Sequence, residues 1–165
     1  EIRDYIKISK CRPFVVKEQG YLIPKKSVFN KIIGDSHFEL QFASFLDGCN
    51  DIISYAKNFF AVHFKIDYRN SDGAISEYYP DFLVKVSEKE IYIIETKGRE
   101  DLDDMLKIKR LSQWCDDINS IQSPDRNIRG QADVRYEWLY VEQEKFEKYL
   151  PKNFTELRNA FKDEG

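Results

Sequence analysis

Phe38, Phe42, Phe45 and Leu46 recur at three- and four-residue spacing, which gathers large apolar side chains on one face of an α-helix. Asp35-Ser36 stands ahead of them as a start signal and Gly48 stops the run, so the pattern predicts a helix from about residue 35 to 48. A second, short helix is expected over 51–58. The period then falls to two. Val62, Phe64 and Ile66 alternate with polar or small residues and predict a strand over 61–68, closed by the turn residues Asn70-Ser-Asp-Gly73. Two further extended runs, 78–87 and 90–96, are rich in Val, Ile, Phe and Tyr and are parted by a polar tip at Glu88-Lys89. Helical spacing returns over 101–118, where Asp104, Ile108, Leu111, Cys115 and Ile118 share one line that is apolar after its first member. A polar loop over 123–131 holds Pro124 and Gly130, a strand follows at 134–141, and amphipathic helices are expected at 143–149 and 154–161. Ahead of all this, 5–9 and 13–16 read as short strands, with Gly20 and Pro24 as breakers. Three antiparallel strands, a helical crossover and a fourth strand make an α/β chain, its mixed central sheet flanked by helices.

Composition narrows the class. A chain of 165 residues, 42% hydrophobic, forms one domain and buries roughly 70% of the surface its unfolded form exposes. Seven Gly, five Pro and 15% aromatic residues exclude a disordered or low-complexity chain. The longest purely apolar runs span four or five residues, as at 59–62, against about 20 for a membrane-spanning helix. No signal peptide opens the sequence. It begins with Glu1 and is read as a piece of a longer protein.

Charge is unevenly placed. Within 1–34, Arg3, Lys7, Lys10, Arg12, Lys17, Lys25, Lys26 and Lys31 oppose Glu1, Asp4 and Glu18, a net of +5 on a chain whose total is −3. A basic arm on an acidic body is compatible with nucleic-acid contact, but as a pattern alone it reads as a solvated surface. Cys11, Cys49 and Cys115 are odd in number, far apart and without a C-x-x-C pair. That excludes a zinc knuckle, argues against a disulfide framework and fits a reducing cytoplasm. Cys115 falls on the apolar line of its helix and is expected in the core. His37 and His63 lack any metal-ligand setting and are read as structural. No P-loop motif occurs.

The stretch with chemistry in it is Tyr79-Pro80-Asp81, then thirteen residues, then Glu95-Thr96-Lys97-Gly98. Side chains in a strand alternate, so Glu95 and Lys97 project to one side. A three-residue hairpin loop at 87–89 makes paired positions sum to 176 and sets Asp81 opposite Glu95, with Cβ atoms about 5 Å apart. Carboxylates that close repel, and a divalent cation between them removes the penalty. Mg²⁺ suits such a site, since it takes one or two carboxylates and keeps water for the rest of its shell. Lys97 then lies beside the metal, where it can polarise an attacking water or neutralise charge developing on a phosphate. The blander reading is a surface ion pair between Glu95 and Lys97.

Pro80-Asp81 with Glu95-Thr96-Lys97 resembles the PD-(D/E)XK signature of restriction-endonuclease-like nucleases. The wider text is similar to the C-terminal endonuclease domain of type III restriction enzyme Res subunits and related helicase–nucleases. The matching pieces are Pro24-Lys-Lys-Ser-Val-Phe-Asn30, Phe38-Glu39, Phe42-Ala43, Phe45-Leu46, Tyr55-Ala-Lys-Asn58, Tyr78-Tyr-Pro-Asp-Phe82, Ile94-Glu-Thr-Lys-Gly-Arg-Glu100 and Trp114-Cys115. The resemblance implies an αβββαβ core within a single nuclease domain over 1–165. It implies Mg²⁺-dependent cleavage of double-stranded DNA, with Mn²⁺ as a substitute. A helicase motor in the parent chain would be the only user of ATP, and a modification or specificity subunit would be a further partner. On that pattern Asp81 and Glu95 are metal ligands, the Thr96 carbonyl a third, Lys97 the catalytic lysine and Glu39 a helix-borne acid reaching the same cluster.

Glu39 has a structural alternative, because Ser36-x-x-Glu39 is also a capping box. Lys107 and Gln113, on the helix after the catalytic strand, are candidates for phosphate contact, as are Lys25 and Lys26 in the basic arm. Trp114 is expected to pack in the fold. Two other functions compete: a structure-specific repair nuclease with the same site, and a catalytically silent DNA-binding or docking domain of a helicase.

Overall fold

The computed structural model describes residues 5–17, 19–99, 101–121, 124–128 and 130–162, without the side chains of Asp125 and Ile128. After a 3₁₀ turn at Ile8–Lys10, a two-stranded ladder forms from β1 (Tyr21–Leu22) and β2 (Ile32–Ile33), followed by helix α1 (His37–Gly48). Then come β3 (Ser54–Lys57), a 3₁₀ turn at Phe60–Val62, β4 (Ile66–Arg69), β5 (Ile75–Tyr78), β6 (Phe82–Ser87) and β7 (Glu90–Lys97). Helix α2 (Asp104–Ser120), a short α3 (Pro124–Ile128), β8 (Arg135–Glu142), α4 (Gln143–Tyr149) and α5 (Phe154–Phe161) complete the chain.

The central sheet runs β3-β6-β7-β8. β3 with β6 and β6 with β7 are antiparallel, whereas β7 and β8 are parallel and joined through α2. The mixed α/β class with a flanked central sheet is therefore realised, but its first strand is not where the pattern puts it. The segment expected as a second helix, 51–58, contains β3, paired to β6 from Ser54–Lys85 to Lys57–Phe82. A short apolar run carries no reliable period, and here the ladder to β6 decides the conformation.

Two other expectations shift. The strand expected over 61–68 is confined to Ile66–Arg69, because a 3₁₀ turn comes first and ends on His63 in the left-handed region at φ 60°. The run expected as one strand over 78–87 is two. β5 ends at Tyr78 and pairs only with β4, while β6 begins at Phe82 in the central sheet. Pro80 sits between them, without an N–H to continue a ladder. No strand forms over 5–9 or 13–16. In the basic arm Lys7, Lys10, Arg12, Lys17 and Lys25 are exposed, as a solvated surface requires, while the Phe14 and Phe29 rings pack edge to face with each other and with Phe59 at 5.3–5.6 Å.

Apolar side chains fill both faces of the sheet. Phe38, Phe42 and Leu46 of α1 meet Phe82, Val84, Tyr92, Ile94, Leu139 and Val141, with Phe146, Phe154, Leu157 and Phe161 of α4 and α5 closing that layer. On the other face Leu111 and Cys115 of α2 pack with Ile93 of β7 and with Ile66, Tyr68 and Tyr78 of the β4–β5 hairpin. Trp114 packs edge to face against Phe64 and Tyr136. Among the described residues no helix is long and apolar enough to cross a membrane.

The β6–β7 hairpin sets the register of the site. Its turn has two residues rather than three, with Ser87 paired to Glu90, and a bulge between Lys85 and Ser87 then advances the pairing by one. A bulge adds a residue to one strand only. It restores the register in which Phe82 pairs with Ile94, so Asp81, one step further, comes level with Glu95.

Candidate active site

The last residues of β5 and β7 meet the start of β6, and the break at Tyr79-Pro80-Asp81 leaves Asp81 at the rim of the sheet. A cleft of about 420 Å³ opens there, between the start of α1, the end of β7 and the start of α4, and Glu39, Asp81, Glu95, Thr96 and Lys97 all line it. Its chemistry is divided between the two faces of the sheet. Ile93 packs on the α2 side and Tyr92 and Ile94 on the α1 side, so strand alternation carries Glu95 and Lys97 to the α2 side.

Asp81 is held from two directions. The Thr96 amide and hydroxyl donate to its Oδ2 at 2.8 and 2.6 Å. Its Oδ1 lies 3.6 Å from the Lys57 ammonium. Glu95 receives a hydrogen bond from the Tyr78 hydroxyl at 3.0 Å on Oε2. Burial pushes the Glu95 carboxyl well above the ordinary carboxylate range, and the charge of Asp81 pushes it further the same way. Two hard oxygen donors thus face one cleft at a cost in repulsion. Among the described residues no group of three or more His, Cys, Asp or Glu side chains is set to hold a metal ion; the cleft offers the two carboxylates Asp81 and Glu95. Thr96, expected to offer its carbonyl, is seen here through its amide and hydroxyl, which fix Asp81.

Glu39 occupies the third position of α1, and its amide donates to the Ser36 hydroxyl at 3.1 Å. Its Oε2 accepts from the Asp35 amide at 3.0 Å and from the Lys57 ammonium at 2.6 Å. Both readings of this residue therefore meet in one side chain: it caps α1 in the manner of a capping box, and it lines the cleft. Burial raises its carboxyl pKa, opposed by Lys57 and assisted by Asp81. Burial draws Lys57 down in turn, but Asp81, Glu39 and Asp35 outweigh it and hold the ammonium above the ordinary lysine value.

Lys97 points along β7 toward α2, where its ammonium meets Asp104 at 2.9 Å and Asp101 at 3.2 Å. Asp104 is buried, and its other oxygen accepts from the Asp101 amide at 2.6 Å. Lys107 joins the same cluster, 3.3 Å from Asp101 and 3.4 Å from Asp104. Burial lowers both lysines, and their carboxylate partners more than reverse it. The remaining candidates lie elsewhere. Gln113 donates to Asp117 on the exposed side of α2. The Lys25 and Lys26 amides both donate to Asp47, and the Lys26 ammonium donates to the Cys49 carbonyl. These two lysines sit at the C-terminal end of α1, about 18 Å from Ser36 along a twelve-residue helix.

Three further residues touch the site without a motif of their own in the sequence. Lys57 falls in the matching piece Tyr55-Ala-Lys-Asn58, but a helix over 51–58 does not set it beside Asp81, as the ladder of β3 to β6 does. Tyr78 stands beside the Pro80-Asp81 pair but was counted as a strand residue. Asp104 did leave a signal: it is the one charged member of an otherwise apolar helical line, and such a position is buried with a partner or not at all.

No curated protein and no solved structure matches the chain. A family model described as an endonuclease domain matches residues 25–127, a span that includes Glu39, Lys57, Asp81, Glu95, Lys97 and Asp104. With more than half of its 165 residues matched, around a cleft of opposed carboxylates and a lysine, the chain belongs to the endonuclease-domain family and is a nuclease of restriction-endonuclease-like fold.

Proposed function

We propose that this nuclease hydrolyses phosphodiester bonds of double-stranded DNA with a bound Mg²⁺, for which Mn²⁺ substitutes. It would be the cleavage module of a type III restriction-like helicase–nuclease, working in the cytoplasm, with ATP used only by a motor elsewhere in the parent protein. The observation that carries the reading is that Asp81, one residue beyond the Phe82–Ile94 pair, stands level with Glu95 at one cleft, where burial and then the charge of Asp81 push the Glu95 carboxyl upward. Such repulsion has a physical use if a cation neutralises it.

Asp81 and Glu95 would hold that ion. When bound, it supplies Lewis-acid polarisation of a phosphoryl oxygen. Thr96 fixes Asp81 through two donors, and Tyr78 fixes one oxygen of Glu95, so neither carboxylate has to be ordered at the moment of binding. Lys97 sits one pleat beyond Glu95. Its ammonium is held by Asp104 and Asp101, and Lys97 lines the same cleft as the two carboxylates. There it stabilises the negative charge that builds on phosphorus-bound oxygens as water attacks and a bridging oxygen leaves. Lys107, tethered to the same aspartates, supports the positive charge of this edge.

The test is cleavage of supercoiled plasmid by the purified chain with Mg²⁺, with Mn²⁺ and with EDTA. Nicking that needs the ion and disappears in Lys97→Ala is the expected result. A folded chain that binds DNA but never cuts it with either ion would show a docking domain instead. Preference for branched or damaged duplexes over intact ones would favour a repair nuclease built on the same site.

A further inference from the structure

We infer that the buried ammonium of Lys57 takes the place of a second divalent cation, so that the site binds one metal ion, at Asp81 and Glu95, with Glu39 outside the ligand set. The inference rests on the metal-dependent reading above.

Lys57 closes β3 directly opposite Phe82 and is 3% exposed. Its ammonium lies 2.6 Å from Glu39, 3.5 Å from Asp35 and 3.6 Å from Asp81, and 5.5 Å from the centre of the Phe82 ring. Enzymes that clamp a phosphate between two ions hold them about 3.5–4 Å apart. In this protein a carboxylate that could serve two cations exists: Asp81 lies between Glu95 on one side and Lys57 with Glu39 on the other. The far side already has its cation. It is tethered by a side chain, cannot diffuse away, and cannot be displaced without leaving an unpaired ammonium against an apolar ring.

Glu39 points to the same conclusion. Its Oε2 is already shared by Lys57 and the Asp35 amide, and it comes from the α1 side, whereas Glu95 lies on the α2 side of β7. An ion pair serving stability alone needs only Lys57 and Glu39. The third carboxylate, Asp81, is what ties the ammonium to the metal site. Lys57 is therefore a positioning residue: it steadies Asp81 and fills the second cation position.

Titrating the 165-residue chain with Mn²⁺ alone, and following the free ion by electron paramagnetic resonance, tests this. Wild type should bind one ion. Glu39→Gln should also bind one, with affinity changed less than about twofold, well inside the tenfold that marks loss of a ligand-strength contact. Lys57→Met should bind two, and Lys57→Met with Glu39→Gln should return to one. Wild type and Glu39→Gln decide the matter even where Lys57→Met does not fold. Two ions per wild-type chain, a tenfold weakening in Glu39→Gln, or a folded Lys57→Met that still binds one ion would each overturn the role given to Lys57 and leave the metal centre standing. A wild type that binds no ion, or binds one that Glu95→Gln does not weaken, overturns the metal centre and this inference with it.

Discussion

Glu95 lines the cleft with its Oε2 hydrogen-bonded by the Tyr78 hydroxyl. Its carboxyl is pushed above its ordinary value of 4.5 by burial and then by Asp81. A group raised in the folded state stabilises the fold fully at pH below its unfolded value, and that contribution is lost as pH rises through the folded value. Without metal, stability should therefore decline as pH climbs above about 4.5, the unfolded end of the window. Glu95→Gln keeps a carbonyl for the Tyr78 hydroxyl and removes the charge, so its melting temperature in EDTA at pH 7.5 should equal or exceed that of wild type. Calorimetry from pH 4 to 8 would read both slopes, and a Glu95→Gln protein melting several degrees lower would mean that repulsion from Asp81 is not what the site bears. Asp81→Ala, Glu95→Ala and Lys97→Ala should each abolish cleavage, with double variants no worse than singles because the three act as a unit. Asp104 acts one step further out. Asp104→Asn weakens the hold on Lys97 while keeping the shape, and activity should fall about 10–100-fold with little change in DNA affinity, as is usual for groups that orient a catalytic neighbour. Steady-state kinetics separate the two effects.

At the scale of the elements, α1 has a double task. Its buried face centres on Phe42, whose ring touches Phe38, Phe45, Phe82 and Phe146 at 5.4–6.3 Å. Its first turn carries Glu39 to Lys57. Phe42→Ala should cost about 3–5 kcal/mol of stability, the usual penalty for emptying a buried aromatic site. Ser36→Ala should cost about 1 kcal/mol, the worth of an N-cap. Urea unfolding checks both: the midpoints should fall while the slope stays unchanged, as expected when stability alone changes. The β6–β7 hairpin has a comparable double task, because its bulge is what aligns Asp81 with Glu95.

For the whole molecule, a net charge of −3 limits what the chain does alone on DNA. Affinity for duplex should be weak, indifferent to sequence and steeply lowered by salt, through release of condensed counterions. Fluorescence anisotropy across a salt series measures it, and tight, salt-insensitive binding to one sequence would contradict the expectation. Ligation should also be felt globally. An ion that binds only the folded chain adds about 2.7 kcal/mol at a hundredfold excess over Kd, so millimolar Mg²⁺ or Mn²⁺ should raise the melting temperature of wild type. Glu95→Gln should respond far less.

Local pattern was enough for the elements whose periods are long or whose ends are marked. Helix α1 with its Ser36 cap, the apolar line of α2, strands β7 and β8, and the last two helices all stand within a few residues of where side-chain spacing puts them. Asp81, Glu95 and Lys97 were legible as a group because strand alternation and one pairing register are enough to bring them together. β3 was not legible, because four residues have no period and only the ladder to β6 makes them a strand. Nor was the division of the 78–87 run between two sheets, since a Val- and Tyr-rich segment looks the same whichever neighbour it pairs with. The predicted register held for a reason the chain does not display locally: a two-residue turn and a bulge add up to the alignment of a three-residue loop. Lys57 and Asp104 became visible last. A buried charge is tolerated only beside its partners, and those partners, Glu39 and Asp81 for one and Lys97 for the other, arrive from separate elements. Which residues gather at the cleft is thus written in local spacing, and which residues hold them in place is decided by packing.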